Sequence, residues 1–132
     1  MSSEHRGFMK RGYWIGDLCY VLKDHPDMYE KVGRCIGDGM TEVYIGTEDR
    51  DEVDSEDIFL VSNFWTWNGD GVFYDNLGNE YTVDSGTIGC VHTDLLERLG
   101  VTDTSGGHIH DIWGEETGSD EKCNLYFDEV SI

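Results

Sequence analysis

The chain has 132 residues, the length of one ordinary domain, and its 38% hydrophobic and 12% aromatic content is enough for a core without disulfide or metal staples. A formal net charge of -19 argues against a direct nucleic-acid or anionic-membrane ligand, because a field of that sign repels both. No apolar run approaches the ~20 residues of a membrane span, and the opening MSSEHRGFMKRGYW has no apolar signal-peptide core, so a cytoplasmic location is expected.

In chain order, Gly12–Asp17 and Leu18–Leu22 read as two short strands around a Gly-Asp turn. Asp24–Ile36 reads as a helix, with Asp24 as N-cap, Pro26 at an early position and Met28, Val32, Cys35 and Ile36 as its apolar stripe. Gly37 and Gly39 end it, and Thr41–Ile45 alternates like a strand. Glu48–Asp57 holds seven acids and one base and is expected to be a solvated loop. Strands are predicted over Ile58–Trp67, Val72–Tyr74, Glu80–Val83 and Gly86–Val91, separated by Asn/Asp/Gly turns. Thr93–Leu99 reads as a short helix capped by Thr93 and stopped by Gly100, and His108–Trp113 and Asn124–Ile132 as closing strands. The expected fold is a single domain over residues 1–132, mainly β (β-rich α+β), an antiparallel sandwich or barrel with two short helices. Trp14, Ile15, Tyr20, Val21, Val83, Ile88 and Val91 are expected in one core.

The charge is one-sided. Residues 1–40 carry six acids and six bases, whereas the remaining 22 acids face only Arg50, Arg98 and Lys122. The acids concentrate in Glu48, Asp49, Asp51, Glu52, Asp54, Glu56 and Asp57, and in a second group with Asp111, Glu115, Glu116, Asp120, Glu121, Asp128 and Glu129. Were the two groups to share a face, their carboxylates could match the charge density of a nucleic-acid backbone.

Three segments resemble a family of small hypothetical proteins from bacteriophages and bacteria. Trp14-Ile15-Gly16-Asp17-x-Cys19-Tyr20 resembles that family's Trp-Ile-Gly-Asp-Pro-Cys-Tyr, with Leu18 where proline is usual. Gly69-Asp70-Gly71-x-Phe73-x-Asp75 resembles its Gly-Asp-Gly turn, and Tyr81-x-Val83-Asp84-Ser85-Gly86-x-Ile88-Gly89 its Tyr-x-Val-Asp-Ala/Ser-Gly-x-Ile-Gly motif. The resemblance covers roughly the first two thirds of the domain. It implies a phage-type origin and assigns no chemistry.

Each chemical constellation has a structural counterpart. Cys19 or Cys90 with His92 and Asp17 or Asp84 would make a nucleophilic triad, but no nucleophile motif surrounds them and buried structural thiols are preferred. No C-x-x-C pair occurs, and in a reducing compartment Cys19, Cys35, Cys90 and Cys123 are expected to be free. His108 and His110 share a strand face and could join Cys123 or His92 around zinc, yet the spacing fits no zinc pattern. The loop from Asn68 fails as a calcium site, since Val72 and Asn79 fall where ligands are required. Asp17 and Asp84 are read as turn-fixing acceptors rather than an acid–base pair. Trp65 and Trp67 are placed on one face of their strand, beside a core or an interface. No catalytic residue, metal or cofactor is therefore assigned. The preferred function is a non-enzymatic acidic protein that binds a basic surface of a host protein, as a nucleic-acid mimic or anti-defence inhibitor. The alternatives are a small-ligand sequestering protein and a hydrolase using Cys19, His92 and Asp84.

Overall fold

The computed structural model describes residues 11–46, 49–112, 116–120 and 124–132. Its centre is a five-stranded antiparallel sheet in the order β2-β3-β6-β1-β7, built from β1 (Arg11–Gly16), β2 (Thr41–Tyr44), β3 (Ile58–Trp65), β6 (Thr87–His92) and β7 (Gly107–Ile112). A hairpin of β4 (Gly71–Tyr74) and β5 (Glu80–Val83) forms a second sheet. β8 (Thr117–Ser119), β9 (Leu125–Phe127) and β10 (Val130–Ser131) form a third. The helices are α1 (Cys19–Leu22), α2 (Pro26–Gly33) and α3 (Thr93–Arg98). Among the described residues no helix is long and apolar enough to cross a membrane.

Strand alternation sends successive side chains to opposite faces, so the central sheet carries two apolar layers. Tyr13, Ile15, Phe64, Ile88, Cys90 and Ile112 meet the two small sheets through Phe73, Tyr81, Val83, Leu125, Phe127 and Val130. Trp14, Val43, Phe59, Val61 and Val91 meet the helices through Leu18, Val21, Leu22, Met28, Val32, Leu95 and Leu96. The residues expected in one core are thus divided. Ile15, Val83 and Ile88 lie on the first side, Trp14, Val21 and Val91 on the second, and Tyr20 at the rim of the second.

The mainly β, α+β expectation holds, but the central sheet is open, with edges at β2 and β7, and is not a barrel. Leu18–Leu22 is a helical turn rather than a strand. Leu18, Val21 and Leu22 recur at helical spacing and are buried, and the Asp17 carboxylate accepts the Cys19 N–H at 3.0 Å to start the turn. Among the described residues this makes three α-helices where two were expected. His25, not Asp24, is the N-cap of α2, and the helix stops at Gly33 short of Ile36, which bridges to Asn63 of β3. His92, not Thr93, caps α3, its ring nitrogen accepting the Asp94 N–H at 3.0 Å. β3 ends at Trp65, which leaves Trp67 in the following turn. The closing segment is a hairpin turning at Asp128 (φ 55°) and Glu129 instead of one strand.

Two glycines let the layers close. Gly16 and Gly89 are cross-strand partners at the end of the β1–β6 ladder. A methyl group on Gly89 would stand 2.5 Å from Leu18 Cδ1 and 2.7 Å from the Ser62 carbonyl, and one on Gly16 would stand 2.6 Å from the Trp14 ring. Leu18 therefore lies directly on Gly89.

Candidate functional site

The first and third motifs meet at the Gly16–Gly89 end of the central sheet. Asp17, fully buried, emerges from β1 and spends both carboxylate oxygens on hydrogen bonds. Oδ2 accepts the backbone N–H groups of Asp84 and Ser85, each at 2.7 Å, while Oδ1 accepts the Ser85 hydroxyl at 2.7 Å and the Cys19 N–H. Burial alone would raise the pKa of Asp17, but these bonds outweigh it and hold the group below the usual carboxylate range. Ser85 Oγ, its proton given to Asp17, also accepts from Thr87 Oγ1 at 2.8 Å. Gly86 (φ 76°) gives the turn its left-handed step. Asp70 of the second motif approaches the same turn, its Oδ1 3.8 Å from where a Gly86 methyl would stand.

This arrangement holds protons rather than releasing them. Burial, a hydrogen bond to Asp17 and the charges of Asp17, Asp84 and Asp70 push the Cys19 thiol up to about 12. The Tyr20 phenol donates to Asp84 and is likewise raised to about 12, first through that bond. Burial also raises Cys90 and Cys35. Cys19, Cys35 and Cys90 are free thiols, and Cys123 lies outside the described residues. The triad of Cys19, His92 and Asp84 is not assembled. His92 is the cross-strand partner of Tyr13, three residues before Gly16, which is ~10 Å along the strand. Its ring packs edge-on against Tyr13 with centroids 5.1 Å apart. Trp65 and Trp67 are 60% and 59% exposed.

Asp75 belongs to a different place, the β4–β5 turn. It accepts the N–H groups of Leu77 (2.8 Å) and Asn79 (2.9 Å), the Asn79 amide (3.0 Å) and the Tyr81 hydroxyl (2.6 Å). Burial opposes ionisation, yet these donors keep its pKa below the ordinary value. The Tyr81 oxygen also lies 2.8 Å from His110 Nε2. Tyr81 has one proton and gives it to Asp75, so His110 must carry its proton on Nε2 and donate to Tyr81. The sequence spacing places His108 and His110 on one strand face, and both indeed turn to Tyr81. His108 packs edge-on at 5.0 Å and its Nε2 lies 2.7 Å from the Glu80 carbonyl. Nothing in the sequence marks Tyr81 as their common partner. Among the described residues, no group of three His, Cys, Asp or Glu side chains is placed to hold a metal ion.

The acidic segment is the β2–β3 connection. The Ile45 N–H bonds the Asp57 carbonyl at 3.0 Å and closes its base, and Ser55–Asp57 forms a 3-10 turn leading into β3. Asp49, Asp51, Glu52, Asp54 and Glu56 are exposed, whereas Glu48 lies outside the described residues. Asp57 is half-buried and bonds Arg98 at 2.6 Å; Arg50 pairs with Glu42 of β2 at 3.1 Å. Of the second group, Glu115 and Glu121 lie outside the described residues, and Glu116 is exposed with its N–H held by Asp128 at 2.8 Å. Asp111 stands on β7, the far edge of the sheet from β2, and the segment of Glu116 lies near the other end of β2 from the loop. The loop leaves beyond Tyr44, while the Thr117 carbonyl lies beside Gly39, before Thr41.

No family model, curated protein or solved structure matches this chain.

Proposed function

We propose that the chain is a non-enzymatic binding protein whose acidic β2–β3 loop docks on a basic surface of a partner protein. The observation that carries this reading is the loop itself. Five acids, Asp49, Asp51, Glu52, Asp54 and Glu56, are exposed on one connection with a hydrogen-bonded base, and Arg98 is spent on Asp57. Carboxylates displayed in this way raise the association rate with a positively charged patch more than they deepen the final affinity. The motif cluster offers no competing chemistry, since its thiol and phenol hold their protons and the Asp17 carboxylate is saturated. A host protein is the partner that a phage-type origin, implied by the sequence resemblance, would call for. A host protein that normally grips nucleic acid is the natural class, with carboxylates standing in for phosphates.

The test is retention of host proteins on the immobilised chain at low and at high salt, beside a variant with Asp49, Asp51, Glu52, Asp54, Glu56 and Asp57 changed to Asn or Gln. A partner held by the parent, released by salt and bound more slowly by the variant supports the reading. A partner bound at the same rate and with the same salt dependence by both removes the loop from recognition.

A further inference from the structure

Beside the acidic loop, a groove of about 680 Å³ runs between the start of β3 and the side of α3. That volume is within the range of small-ligand clefts. Its apolar lining comes from Ile58 and Leu60 on one face of β3 and from the edge of Phe59 on the other, and Leu60 is 39% exposed. Its rim is acidic, with Glu56 on one side and Asp94 and Glu97 on the other. The one guanidinium at this rim, Arg98, is bound to Asp57 and the Glu56 carbonyl, and stands over the Phe59 ring at 5.9 Å. The molecule thus already displays here the mode in which an arginine lies on an aromatic ring with its charged end on acceptors.

We propose that this groove receives an extended segment of a partner protein through an inserted arginine side chain. The methylene stem covers Leu60 and Ile58, and the guanidinium reaches the carboxylates of Glu56 and Glu97. Charge complementarity selects this occupant: an acidic rim repels an acidic segment, and an apolar lining favours a side chain with a long aliphatic stem. The inference rests on the reading of the chain as a binder of basic partners and specifies the side chain that enters and the surface that takes it.

The experiment uses the isotope-labelled full chain and a short Gly/Ser peptide with a central Arg-Leu-Arg, beside the same peptide carrying citrulline, which keeps the shape and loses the charge. The arginine peptide is expected to shift the amide resonances of Ile58–Leu60 and Asp94–Arg98, and citrulline to weaken binding about tenfold or more. Glu97→Arg and Leu60→Ser, both changes at the surface, should each weaken the arginine peptide by about tenfold, with Glu97→Gln as a milder check. Unchanged circular dichroism and melting establish that the variants fold. Shifts that map elsewhere, equal binding of both peptides, no shift at millimolar peptide, or full affinity of Glu97→Arg would each overturn the groove. So would concentration-dependent shifts of the same amides without peptide, which would assign the groove to a second copy. A variant with Asp49, Asp51, Glu52 and Asp54 neutralised separates the two readings. If it alone abolishes binding, the loop stands and the groove falls. If only the groove variants weaken binding, the groove stands and the loop falls.

Discussion

Asp17 and Ser85, 68 residues apart in the chain, are joined by two hydrogen bonds of 2.7 Å, one from the Ser85 backbone N–H and one from its hydroxyl. With the Asp84 N–H on the same carboxylate, β1 is tied to the turn that opens β6. Asp17→Asn keeps the volume but turns an NH₂ group toward donors that need an acceptor. The expected cost is about 2–4 kcal/mol, since bonds to a buried charge are strong and an orphaned donor is expensive. Urea unfolding measures it, and a loss below about 1 kcal/mol would show that the carboxylate is not the fastener.

Acid should destabilise the protein through two kinds of group. Asp17 and Asp75 have folded pKa values below the ordinary carboxylate value, so their contribution is present above the unfolded value and disappears as pH falls through the folded one. His110 is lowered, first by burial. As pH drops through the ordinary histidine value of about 6.5, the unfolded chain takes up a proton that folded His110 refuses, and stability declines until the folded value is reached. Melting temperature should therefore fall from pH 7 toward pH 5, and His110→Gln should flatten that part of the profile. An identical profile for the variant would remove His110 as the cause.

Gly89→Ala should destabilise by about 1–3 kcal/mol, because the new methyl group meets the Ser62 carbonyl as well as the flexible Leu18 side chain. Pairing it with Leu18→Ala makes room on one side only. Partial rescue in the double variant is expected by chemical denaturation, and full additivity would mean that the Leu18 contact is irrelevant.

Strand alternation and Gly/Asn/Asp punctuation made β1 to β7 legible, because each has one or both faces buried in a regular layer. Leu18–Leu22 was misread because Leu, Tyr and Val suit a strand, and over five residues the spacing of Leu18, Val21 and Leu22 fits either period. The hydrogen bond from Cys19 to Asp17 decides it, and that depends on where Asp17 is held. Thr117-Gly118-Ser119 looks like a turn; its strand conformation comes from pairing with Leu125–Phe127, with Gly118 leaving room for the Tyr126 ring. At the site, the motifs identified Asp17, Asp84 and Ser85, but their junction is a contact across the fold that local patterns do not encode. Tyr29 carried no signal at all. The electrostatics of Cys19 and Asp17 touch it only because α2 packs beside α1.

Cys19 is partly accessible, yet three neighbouring carboxylates and burial keep it protonated. At pH 8 iodoacetamide should label it far more slowly than an ordinary thiol with pKa near 8.5, since only the thiolate reacts. Asp84→Asn removes one of the opposing charges and should speed labelling. Rapid labelling of Cys19 in the parent protein, located by peptide mass, would contradict the proton-holding cluster.

Trp14 carries one further consequence, in the order of events during synthesis. It is fully buried on β1, which pairs with β6 and with the edge strand β7, and its indole N–H bonds the Thr104 carbonyl, 90 residues downstream. At about 5–20 residues per second, a ribosome takes roughly 5–20 s to cover that interval. Of the two neighbours of β1, β6 ends at His92, before Thr104 is made, whereas β7 begins only at Gly107. The surroundings of Trp14 are therefore completed only with the last strand of the central sheet, and its fluorescence reports a closing event of maturation rather than an early collapse.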